Sequence, residues 1–105
     1  MSMKVINYKD QRWTLYSENN ALFLEAECEH GGGVGYSFLI ELSADEIRAY
    51  EGNGSTYLDK LSHDIHYSAP SHINSNSEYK SRRASQEFLD RAYDAKELWR
   101  VHKTI

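Results

Sequence analysis

The sequence predicts an α+β fold: an antiparallel β-meander of three to four strands followed by two or three helices, with a long C-terminal helix packed on the sheet. Three observations carry this. Up to Leu42 the apolar residues recur at every second position, the period of a half-buried strand. From Ser43 onward they recur at three and four, the period of an amphipathic helix. Where the two regimes meet stands a helix-start signal, Ser43-Ala44-Asp45-Glu46, in which hydroxyl and carboxylate can each serve the other's backbone amide. A chain of 105 residues accommodates one such domain, spanning residues 1–105.

Taken in order, Lys4–Tyr8 reads as a short first strand. Arg12–Ser17 follows, with Trp13 and Leu15 on one face and Thr14 and Tyr16 on the other. Ser17-Glu18-Asn19-Asn20 is a turn cluster. Ala21–Glu29 alternates most clearly: Leu22, Leu24, Ala26 and Cys28 face one way, Phe23, Glu25, Glu27 and Glu29 the other. Gly31-Gly32-Gly33-Val34-Gly35 suits a hairpin, and Tyr36–Leu42 returns with Tyr36, Phe38, Ile40 and Leu42 on one face. A helix from Ala44 to about Glu51 is placed to end at Gly52, and Ser55 caps a second, marked by Leu58, Leu61 and Ile65. Pro70 closes the second helix, and Ser71–Ser77 is a polar loop. The last helix runs from about Ser85 to His102. Its stripe of Phe88, Ala92, Ala95 and Trp99, bordered by Leu89 and Leu98, is expected to cover the sheet face bearing Leu22, Leu24, Phe38 and Ile40.

The bulk composition narrows the function classes. A formal net charge of −4 gives the whole chain no electrostatic reason to bind nucleic acid or an anionic membrane. Cys28 is the lone cysteine, so no internal disulfide forms. No apolar run approaches a membrane span, and Met1-Ser2-Met3-Lys4 lacks the apolar core of a signal peptide, so a cytoplasmic location is expected.

Four constellations invite chemistry. His63 and His66, at i and i+3 with His72 downstream, offer imidazoles to a metal, but the defined third and fourth ligands of a zinc site are missing. Cys28 and His30 share a strand face, yet Cys28 continues an apolar row and reads as a small core residue. The glycine run lacks the lysine and the following helix of a phosphate cradle. Glu78-Tyr79-Lys80-Ser81-Arg82-Arg83 is a local basic patch, too small for a nucleic-acid footprint. No catalytic residue, metal ligand or cofactor is therefore assigned, and the chain is read as a non-enzyme.

The acidic strand is the most informative feature. Glu25, Glu27 and Glu29 project from one face, successive carboxylates about 7 Å apart. They form either the solvated face of a sheet or a surface for a cationic partner. Residues 1–51 hold four basic and nine acidic groups, net −5, whereas residues 52–105 are net +1. That imbalance favours the partner reading, with Glu41 and Tyr36 beside the row. Eight tyrosines suit an interface that is apolar in body and polar at the tip.

In size, in its acidic meander and in the run Phe38-Leu39-Ile40-Glu41-Leu42-Ser43-Ala44-Asp45-Glu46 entering helices, the chain resembles, across residues 21–67, the small immunity proteins that bacteria pair with secreted polymorphic or contact-dependent toxins. The resemblance implies a non-enzymatic inhibitor that occludes a basic toxin domain, often a nuclease. Two alternatives stand beside it: a self-associating module that forms a homodimer through a sheet edge or the tyrosine-rich surface, and a metal-dependent regulator or enzyme using His63, His66 and His72.

Overall fold

The computed structural model describes residues 3–9, 12–30, 34–68 and 77–103. Four strands, β1 (Lys4–Lys9), β2 (Trp13–Glu18), β3 (Ala21–His30) and β4 (Val34–Glu41), pair antiparallel in the order of the sequence. Three helices follow: α1 (Ala44–Asn53), α2 (Ser55–Ser68) and α3 (Gln86–Lys103), with one 3₁₀ turn at Lys80–Arg82. The fold class expected from the sequence is the one observed. The glycine run 31–33 and most of the polar loop after Pro70 lie outside the described residues.

Local chemistry sets the turns. Glu18 pairs with Ala21, leaving the two-residue loop Asn19-Asn20, and both asparagines hold positive φ, 51° and 42°. That is the mirror-image turn whose twist matches a hairpin, and asparagine tolerates it better than most residues. At the start of α1 the capping box forms in full: the Glu46 amide donates to Ser43 Oγ at 3.2 Å, and the Ser43 amide donates to Glu46 Oε1 at 2.8 Å. Gly52 does not end α1. The helix continues through Asn53, and the chain turns at Gly54, whose φ of 66° with ψ of −148° is a conformation reserved for glycine.

β1 carries an irregularity that the alternation did not reveal. Its register shifts between Val5, opposite Tyr16, and Asn7, opposite Leu15. Ile6 is the extra residue, which lets Val5 and Asn7 face opposite sides of the sheet. Asn7 consequently reaches the Tyr50 hydroxyl at 3.3 Å and Ser55 Oγ at 3.2 Å on the α1–α2 side.

Both faces of the sheet are covered. On one, Trp13, Leu15, Leu24, Ala26, Cys28, Phe38 and Ile40 form a continuous core with Leu58, Leu61 and Ile65 of α2, flanked by Ile47 and Tyr50 of α1. On the other, Met3, Tyr16, Phe23 and Leu39 pack with Ala92 and Ala95 of α3, and Phe88 stacks on Phe23 with ring centroids 4.9 Å apart. This corrects the placement of the C-terminal helix. The Leu22, Leu24, Phe38, Ile40 face belongs to α1 and α2, and α3 covers the face bearing the glutamates.

The chain reaches that second face by stepping round the edge of β4. Tyr79 packs in the first core, Arg83 bridges to Ile40, and the Ala84 amide donates to the Leu39 carbonyl at 2.8 Å before Ala84 enters the second core. Arg82 fixes the step: it reaches the Glu46 carboxylate at 2.5 and 2.9 Å and donates to the Glu41 carbonyl at 2.8 Å. Among the described residues no helix is long and apolar enough to cross a membrane.

Candidate functional surfaces

The acidic row of β3 is positioned by strand alternation, but it does not stand free in water. Glu25 Oε1 accepts from the Tyr16 hydroxyl at 3.0 Å and from Lys96 Nζ at 2.8 Å, and the Glu25 side chain is 12% exposed. Glu27 accepts from Ser37 Oγ at 3.1 Å and lies 3.5 Å from the same ammonium. The backbone of Glu29 pairs with Gly35, and its side chain lies outside the described residues. A partner surface needs such a row exposed and unneutralised by internal cations, and Glu25 and Glu27 do not meet that condition. A lysine 71 positions from Glu25 along the chain sits over them, because α3 lies on their face.

Glu41 is exposed and shares that face, opposite Phe23. Tyr36 does not: it lies opposite Cys28 on the α1–α2 side and is half-buried. Of the residues singled out from the sequence, Glu25, Glu27 and Glu41 therefore lie on one side of the sheet and Tyr36 on the other.

The ionisable groups at this face respond to their burial. Burial, then the adjacent Glu25 charge and its hydrogen bond, push the Tyr16 phenol far above its usual range. Burial alone would lower the Lys96 ammonium, but the hydrogen bond and charge of Glu25, together with Glu27, outweigh it and raise it, so the ammonium keeps its proton. Farther along the face, Arg91 grips Glu18 through two bonds of 2.7 and 2.9 Å, with Glu18 buried. On the opposite side burial pushes the Cys28 thiol up to about 11, against a hydrogen bond with Tyr36 that acts the other way. Cys28 is a buried core residue.

Part of the charge imbalance between the halves of the chain is met internally. Glu18 with Arg91, Glu25 with Lys96, and Glu46 with Arg82 each join an acid of the first half to a base of the second. Glu18 and Glu25 fasten α3 to the sheet, and Glu46 fastens the 79–84 segment to α1.

Of the histidines near the end of α2, two lie within the described residues. His63 is exposed on α2 beside Tyr67, ring centroids 5.2 Å apart, and His66 is half-buried one turn along. His72 lies outside the described residues. Among the described residues no group of three or more histidine, cysteine or carboxylate side chains is arranged to hold a metal ion.

A surface that the strand pattern did not indicate lies on the outer side of α3. Asp90, Tyr93, Asp94, Glu97, Leu98 and Val101 follow at i, i+3, i+4, i+7, i+8 and i+11, one continuous stripe of a helix. Tyr93 is 67% exposed, Leu98 60% and Val101 56%. The described bonds of Asp90 and Glu97 stay on the helix, to Gln86 at 2.9 Å and Arg100 at 3.4 Å. Leu98, expected at the border of the buried stripe, belongs to this outer face. The signal was present in the sequence as the complement of the Phe88, Ala92, Ala95 stripe. No protein-family model, curated protein or solved structure matches the chain.

Proposed function

We propose that this chain is a non-catalytic protein-binding domain, an inhibitor of the immunity type that occludes a basic partner domain, and that it meets its partner with the outer face of α3. The observation that carries the reading is the stripe itself. Three carboxylates alternate with Tyr93, Leu98 and Val101, so large apolar contact area and negative charge occupy one exposed helix face. The core uses neither: α3 is held to the sheet by its other side, through Phe88, Ala92, Ala95, Arg91 and Lys96. An aromatic anchor flanked by the carboxylates of Asp90 and Asp94 gives affinity at the centre and steering at the rim. Glu41, exposed on the same side of the sheet, adds to that field.

The test compares the wild-type chain with a D90N/Y93A/D94N/E97Q variant. Each is used to capture proteins from the native host, and the captured partner is then purified and its association rate measured against ionic strength. A partner of net positive charge that binds the wild type fast at low salt, slows as salt rises, and binds the variant at least tenfold more slowly supports the reading. An acidic partner, equal rates for both chains at low salt, or no partner at all overturns it.

A further inference from the structure

A concavity lies across the sheet from α3, where the end of α2 meets the chain returning at Ser77. It is an open groove of about 630 Å³. Its walls come from two local patterns. His63 and Tyr67, at i and i+4 on α2, present their rings side by side, tilted by 46°. Tyr79 forms the floor, buried in the core beneath α2. Ser68 and Ser77 hold the two segments together through a 2.6 Å hydroxyl–hydroxyl bond, and Ser77 Oγ accepts from the Tyr79 amide at 3.1 Å.

Two carboxylates, Asp64 and Glu78, line the same groove. Glu78 is exposed. Burial, then hydrogen bonding to Glu78 and its charge, push the Tyr79 phenol up to about 12, so that hydroxyl stays protonated beside the carboxylate. Asp64 pairs with Lys60 at 2.9 Å on the outer flank, where the lysine side chain is 73% exposed. Such a surface pair is weak and exchanges readily with an incoming cation. Arg82 stands 6.0 Å from the centre of the Tyr79 ring and is engaged by Glu46.

We infer that this groove binds the guanidinium of an arginine side chain presented by a peptide or protein. The chemistry fits that group better than an ammonium. A guanidinium is planar, so it can lie against the exposed Tyr67 ring while its edge donates to Glu78 and Asp64. An ammonium is a compact, strongly hydrated charge with no flat face to stack. The site lies across the sheet from the outer face of α3 and does not depend on what that face binds.

The probe is N-acetyl-arginine-N-methylamide, titrated into ¹⁵N-labelled full-length protein and followed by amide chemical shifts. N-acetyl-citrulline-N-methylamide, its neutral isostere, and the corresponding lysine derivative serve as controls. Saturable shifts confined to Tyr67, Ser77, Glu78 and Tyr79 are expected with the arginine derivative, in the millimolar range, and absent with citrulline. Affinity should fall at least fivefold in E78Q and in Y67A, whose exposed side chains leave the rest of the spectrum in place. No saturable shift, equal binding of citrulline, equal binding of lysine, or unchanged affinity in both variants overturns the assignment.

Discussion

The two faces of the sheet are covered by different physics. Under α1 and α2 lies an apolar core running from Trp13 through Leu24 and Phe38 to Leu58 and Ile65, with polar contacts at its rim, such as the Trp13 indole donating to Asp59 at 2.8 Å. Under α3 the apolar cluster is smaller, and three carboxylates of β2 and β3 stand within it or beside it, each met by a base from α3. One face is held by shape and burial. The other is held by a short apolar contact plus charge pairing that fixes which residue of α3 lies over which strand. The lesson is that the helix most dependent on electrostatics for its seat is also the one whose outer side is left as an exposed, charged surface.

Truncations in the two cores test this difference most severely. Trp13 of β2 and Ile65 of α2 are fully buried between the sheet and that helix, and Trp13→Ala should cost about 3–5 kcal/mol and Ile65→Ala about 2–5 kcal/mol in urea unfolding. Trp99, expected from the sequence to be a core anchor, is half-buried and meets Tyr8 edge-on at 4.7 Å. Trp99→Ala should therefore cost roughly half as much as Trp13→Ala. Equal losses at the two tryptophans would mean that α3 is held by burial as firmly as α2.

Removing one charge beneath α3 comes next in size. Lys96→Met leaves Glu25 half-buried with only the Tyr16 hydroxyl as a direct partner, and Glu25→Gln leaves the ammonium short of its main partner. Each should cost about 1–2 kcal/mol, less than a fully buried pair because Lys96 is 26% exposed. The double variant should recover part of the loss, and a double-mutant cycle measures the coupling. Additive losses would show that the pair is a surface contact of no consequence for α3.

How far the sequence revealed these features depends on their range. The capping box at Ser43 and Glu46, the asparagine turn and the alternation of β3 are set by neighbours within a few residues, and all were legible. Alternation states which residues share a face; it does not state which helix covers that face. Phe23 and Leu39, apolar residues on the glutamate side, were the local hint that this face too is buried. The Glu25–Lys96 and Glu18–Arg91 pairs span 71 and 73 positions, beyond any local pattern. The bulge at Ile6 had no glycine or proline to announce it.

Acid should loosen the edge of β4 before either core fails. Burial would raise the Glu46 carboxyl, but the Arg82 guanidinium and the Ser43 amide outweigh it and hold the group below its usual range. A depressed folded value means the contribution is fully present above the unfolded value of about 4.3 and is lost as pH falls through the lower folded one. Because Glu46 is partly solvated the contribution should stay below about 1 kcal/mol. Stability measured from pH 6 down to pH 3 should fall less steeply in Glu46→Gln than in wild type. Parallel curves would remove Glu46 from the acid response.

The smallest effect is expected on the outer side of α3, and it sharpens the comparison because the same helix is involved. Asp90, Asp94 and Glu97 make no described bond to the sheet, and Asp90 and Asp94 are exposed. Exposed charges remote from any core or network rarely move stability by more than about 0.5 kcal/mol each. The three also stand at i, i+4 and i+7, so neutralising them relieves mild repulsion along the helix. Asp90→Asn, Asp94→Asn and Glu97→Gln together should leave the urea midpoint unchanged or slightly raised, while Lys96→Met on the inner side lowers it. A loss above about 1 kcal/mol in the triple variant would mean that the outer carboxylates help to seat α3, and the division between an inner side that holds the fold and an outer side that meets a partner would not stand.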